Sequence, residues 1–180
     1  MVLLLVSCMS AEVPPHAESV GSLLDAGLQL DWDRTQSVAV ELARPVEGLD
    51  ATDRHRWEPL RTAATALSKA RKKSEFSVEY GVLMASCQAC HSGGELPPPR
   101  ALKGHGAGVM AVERSVVVAD RGIGLEGVKL LIRSPDLGPS HRRIIDLAGR
   151  IADSTSPALD GKLYGRMVLE CYQCHGSLTP

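Results

Sequence analysis

Cys87-Gln88-Ala89-Cys90-His91 and Cys171-Tyr172-Gln173-Cys174-His175 repeat one pattern, C-x-x-C-H, at a spacing of 84 residues. The two motifs use four of the five cysteines; the fifth is Cys8. Superposing the motifs lays EYGVLMASCQACH over LYGRMVLECYQCH, and Tyr80-Gly81 falls on Tyr164-Gly165 without a gap. Further back, His55-Arg56 lies near His141-Arg142 at a shift of 86. Each half holds three histidines: 16, 55 and 91, then 105, 141 and 175. The pattern reads as a tandem duplication, with units too long for a solenoid.

Each unit reads as four helices. In the first half the apolar spacing predicts helices over about 16–30, 33–43 and 51–72, and a fourth that starts at Ser74-Glu75. Val20, Leu23, Leu24 and Leu28 share a face of the first. Trp57, Leu60, Ala64 and Leu67 mark the third, with Asp50 as its cap. Lys69, Arg71, Lys72 and Lys73 stand where a helix C-terminus favours cations. Phe76, Tyr80, Leu83 and Cys87 form the stripe of the fourth. The second half repeats the plan over about 107–121, 124–133, 139–154 and 158–175, with Ile144, Leu147, Ala148 and Ile151 on its third helix. No strand pattern of any length is present. The expected fold is all-α: two tandem four-helix bundles, each with C-x-x-C-H at the end of its last helix. Residues 16–94 form the first, 105–180 the second, and a Pro/Gly linker at 95–104 separates them.

Composition agrees. Hydrophobic residues are 44% of the 180, enough for a buried core. One Phe, two Trp and three Tyr leave that core mostly aliphatic, which suits helices, and a large apolar cofactor could take the volume rings usually fill. A net charge of −1 gives no reason to expect nucleic acid as a partner.

Residues 1–15 read as a processed signal and short tether. The apolar opening MVLLLVSC is shorter than the roughly 20 residues that span a bilayer. Leu5-Val6-Ser7-Cys8 looks like the lipobox of bacterial lipoproteins, in which the cysteine becomes the lipidated first residue. An ordinary secretory signal is the alternative. Both send the protein out of the cytoplasm, and the lipid would hold it at a membrane.

Three chemistries use paired C-x-x-C. Zinc ribbons place their pairs 15–20 residues apart, unlike these. A redox dithiol needs a thioredoxin-like βαβ context, which is missing. Covalent haem c accounts for the histidine as well: two sulfurs bond the haem, and the adjacent imidazole ligates its iron. On this reading Cys87, Cys90, Cys171 and Cys174 attach two haems, with His91 and His175 as proximal ligands.

Four helices with C-x-x-C-H near the end of the last resemble the class II c-type cytochromes, the cytochrome c-prime group and its six-coordinate relatives. The resemblance spans about 75 residues of each half. It implies a distal residue on the first helix of each unit, which is His16 opposite His91, and His105 or Met110 opposite His175. Bundle topology agrees, because first and third helices begin where the fourth ends. His55 and His141, at the start of the third helices, suit a haem-propionate contact as well as ligation. Tyr80 and Tyr164 suit core aromatics near the haem edge. The expected function is electron transfer between periplasmic or membrane redox proteins, without catalysis. Two alternatives remain. A gas-binding protein would leave an iron open to NO or CO, and a di-haem peroxidase would need polar distal groups that nothing here identifies.

Overall fold

The computed structural model describes residues 17–45, 51–88 and 102–175. Cys8, His16, Asp50, Cys90, His91 and most of the 95–104 linker lie outside the described residues. Eight α-helices follow one another: α1 (Ala17–Leu28), α2 (Trp32–Leu42), α3 (Ala51–Lys69), α4 (Lys73–Ser86), α5 (His105–Val118), α6 (Arg121–Arg133), α7 (Pro139–Asp153) and α8 (Pro157–His175). No strand occurs among the described residues. None of these helices is long and apolar enough to cross a membrane.

Local chemistry sets the helix ends. Asp31 caps α2 by accepting from the Arg34 N–H at 3.0 Å. Asp120 caps α6 by accepting from Gly122 and Ile123 at 2.7 and 3.2 Å. Gly138, at φ 100°, turns the chain into α7, and Pro139 fits the first position, where no donor is needed. The start of α4 departs from expectation. Ser74 lies inside the first turn, Lys72 is the cap residue, and Glu75 reaches back to accept from the Arg71 N–H at 3.1 Å. Arg71, Lys72 and Lys73 therefore lie beyond the end of α3, and only Lys69 occupies its last turn. Lys72 pairs with Glu75 at 3.7 Å, and Lys73 lies over the Tyr172 ring at 5.6 Å from its centroid.

Within each half successive helices pack in chain order, and the most extensive contact of all joins α4 to α8 across the halves. These two helices cross antiparallel. Phe76 near the start of α4 meets Tyr172 near the end of α8, ring centroids 5.8 Å apart. Gln88, just past α4, donates to Asp160 at the start of α8 at 3.3 Å. The crossing point is made by glycine. A Cβ on Gly81 would lie 2.1 Å from the Gly161 carbonyl oxygen and 2.6 Å from the Gly165 nitrogen. One on Gly165 would lie 2.5 Å from the Ser77 carbonyl oxygen. Gly81 and Gly165 belong to the matching Tyr-Gly pairs of the two halves, so matching positions of the sequence meet at the crossing.

One core runs through the molecule. Leu42, Leu60, Leu67 and Leu83 of the first half belong to the same buried cluster as Val112, Leu131, Leu147 and Leu163 of the second. Burying each such side chain contributes about 1.5–3 kcal/mol. The aliphatic expectation needs one amendment. Five of the six aromatic side chains form a single run across the crossing: Trp32 stacks on Phe76 at 4.7 Å, Phe76 meets Tyr80 and Tyr172, and Tyr80 meets Tyr164 at 6.1 Å.

Candidate functional site

The second motif opens onto a cleft at one end of the molecule. Cys171, Cys174 and His175 come from the last turns of α8, His105, Gly106 and Val109 from the start of α5, and His141 and Ile144 from the start of α7. Tyr164 and Val168 form its floor. Gly27, Leu28 and Leu30, at the corner between α1 and α2, close one side, so the first half helps to build the second half's cleft. Tyr172 fastens that corner by donating to the Leu30 carbonyl at 3.5 Å.

The three histidines of the second half meet here. The His105 and His175 rings lie 5.8 Å apart, centroid to centroid, at 23°, and the His105 and His141 rings lie 6.4 Å apart at 82°. Bundle topology anticipates this meeting. Met110 does not share it: the cleft takes Gly106 and Val109 from α5, and Met110 is half-buried beside them.

The histidines differ in environment. Burial, then the neighbouring His175 and His141, hold His105 below the ordinary imidazole range. That shift favours the neutral imidazole, the form that can ligate a metal. His141 is buried, accepts at Nδ1 from the Leu137 N–H at 3.5 Å, and has no hydrogen-bond partner at Nε2. With Nδ1 accepting, the proton of the neutral ring sits on Nε2. His141 thus brings an unused donor to a cleft that is otherwise largely apolar. His175 itself is exposed.

Cys171 is not poised as a reactive thiolate. Burial, with Cys174 and Glu113 adding to it, pushes the Cys171 thiol up to about 12. Redox dithiols work by the opposite shift. Among the described residues, no three His, Cys, Asp or Glu side chains converge closely enough to hold a bare metal ion. Paired sulfurs beside two facing imidazoles, an orphaned buried donor and apolar walls fit a large flat cofactor that is held covalently and ligated axially.

Behind the cleft floor lies a group that the motifs do not reveal. Glu113 of α5 is 1% exposed. It accepts from the Tyr80 hydroxyl at 2.6 Å, and the Tyr164 hydroxyl also donates to it. Burial raises its carboxyl to about 7, while hydrogen bonds from the two phenols and the charge of Arg114 pull the other way. Both phenols are pushed up, by burial first and Glu113 next. Tyr80 also excludes any side chain at Gly27, where a Cβ would lie 2.0 Å from its hydroxyl. The signal for Glu113 was available: it falls on the stripe of Val109, Val112 and Val116, three and four residues apart.

At the first motif only Cys87 and Gln88 are described. Cys87 is 3% exposed and donates to the Leu83 carbonyl at 3.5 Å. Gln88 donates to the Val116 carbonyl at 2.5 Å as well as to Asp160. His55, the counterpart of His141, is exposed beside a surface groove between α3 and α4. The two histidines match in sequence and differ in surroundings. No protein-family model, no curated protein and no solved structure matches this chain.

Proposed function

We propose that the chain is an exported di-haem c-type cytochrome that carries single electrons between redox proteins on the periplasmic side of a bacterial membrane, anchored by a lipid on Cys8. In this reading it is built of two tandem four-helix units, each ending in C-x-x-C-H. A bound haem supplies reversible one-electron chemistry, and the protein sets its ligands, burial and hydrogen bonds. Cys171 and Cys174 hold the second haem. His175 and His105 would ligate its iron, His105 in preference to Met110. The Nε2–H of His141 donates to a haem carboxylate. Ligation through that Nε2 would need the proton on Nδ1, where the Leu137 N–H already points. Cys87, Cys90 and His91 serve the first haem by the same pattern, with His16 as its distal candidate.

The observation that carries the reading is the pair His105 and His175, facing one another across an apolar cleft that also holds both cysteines of the second motif. A filled coordination shell favours electron transfer over gas binding. The test combines a haem count with optical spectra. Acid and organic solvent should leave two haems on the chain, and alkaline pyridine spectra should give that count. The reduced protein should not bind CO at the second haem. His105→Ala should turn that haem high-spin and open it to CO. Haem that leaves with the solvent sinks the cytochrome reading. CO uptake by the unmutated protein at both haems would instead put the gas-binding reading ahead.

A further inference from the structure

Glu113 has no part in holding or ligating a haem, yet three helices are arranged around it. Its carboxylate sits between Tyr80 of α4 and Tyr164 of α8, the repeat-equivalent tyrosines, each two turns before the first cysteine of its motif. The Tyr164 ring that donates to it is also part of the cleft floor. One phenol therefore separates the carboxyl from whatever the cleft holds. We propose that Glu113 is a proton-exchange site coupled to electron transfer at the second motif, taking up a proton on reduction and releasing it on oxidation. The inference rests on the di-haem reading.

The balance is simple. One electron from an external one-electron donor converts ferric to ferrous haem, and one solvent proton adds to the Glu113 carboxylate. Reoxidation returns both. The sign follows from Coulomb's law. Reduction removes one positive charge from the cleft, so a nearby carboxylate is tolerated less and its proton is held more tightly. By linkage, the potential must fall as pH rises through the range in which Glu113 titrates. That range lies around neutrality, since burial places the carboxyl at about 7. The influence already reaches the motif, because Glu113 is among the groups that raise the Cys171 thiol.

Other groups around Glu113 do not replace it. From α4 it faces Tyr80, and from α8 Tyr164 with Cys171 beyond; all three titrate far above neutrality. From α6 Gly124, Gly127 and Leu131 pack against α5, and Gly27 of α1 lies against the Tyr80 hydroxyl. Arg114 follows on its own helix and stays charged. His141 meets α5 near the start of that helix, at His105.

The experiment is a redox titration of the holoprotein between about pH 5.5 and 8.5, fitted with two components, beside Glu113→Gln. In the unmutated protein one component should fall with pH at up to about 59 mV per pH unit, the value for one proton per electron. In Glu113→Gln, which keeps an acceptor for both phenols, that slope should flatten. A second measurement avoids any question of folding. Redox-difference infrared spectra of the unmutated protein should show a carboxylic-acid C=O band that appears on reduction, and Tyr164→Phe should shift its frequency. A pH-independent potential, or an equal slope in Glu113→Gln, overturns the inference while the haem count stands. A chain without haem on Cys171 and Cys174 overturns the functional reading and this inference together.

Discussion

Glu113 also tests the fold without any cofactor. Its carboxyl is held at about 7 in the folded chain against an ordinary 4.5. Between those values the folded state binds more protons than the unfolded state, so stability falls as pH rises. The contribution is complete below pH 4.5 and is lost as pH passes 7. Glu113→Gln cannot ionise, so it should escape this loss. From about pH 4 to 8 its stability relative to the unmutated chain should rise by on the order of 3 kcal/mol, read from urea unfolding at each pH. Equal pH profiles for the two proteins would show that Glu113 is solvated. Residues of this kind were the least legible. Glu113 followed by Arg114 looks like a surface pair, and only its place on the valine stripe says otherwise. His55 and His141 are a matched pair by sequence, and their neighbours alone make one exposed and the other buried. His105 was legible because topology, rather than local chemistry, brought it to His175.

Helices were read correctly from apolar spacing, because each buries one stripe and the period of that stripe is fixed by backbone geometry. Ends were read less well. Ser74 is a favourable cap residue, yet the chain starts α4 earlier and uses Glu75 to satisfy a backbone donor. The repeated Tyr-Gly pair was visible as a repeat but not as a crossing, because a glycine in a helix does not announce what approaches it. The crossing can be tested against a glycine that nothing approaches. Gly81→Ala sets a methyl against backbone atoms of α8, which cannot rotate away, and should cost several times the roughly 1 kcal/mol that alanine ordinarily gains over glycine in a helix. Gly149→Ala in α7 meets nothing within 4 Å and should stabilise by about that 1 kcal/mol. Thermal or urea melts of the two variants should therefore move in opposite directions. Similar shifts for both would mean that α4 and α8 are not in contact at Gly81.

At the level of the molecule, the matching motifs are plain in the sequence, but how the halves join is not. That depends on surface fit between α4 and α8, which leaves no periodic trace. With the core continuous across the join, the halves should unfold as one unit. Urea curves followed by helical circular dichroism and by Trp fluorescence, which reports only the first half through Trp32 and Trp57, should coincide. Separate transitions would show two independent domains. The antiparallel crossing has a further consequence. Gln88 of the first motif is level with Asp160, and from there to His175 α8 climbs about 22 Å at 1.5 Å per residue. Gln88 and His175, one from each motif, therefore lie toward opposite ends of α8. A donor seated over one does not cover the other, so the proposed carrier can hold donor and acceptor at once. Turnover should follow the kinetics of a ternary complex rather than those of a shuttle. An inert form of one partner would then leave the binding of the other unchanged, whereas competition between them would place both at a single end.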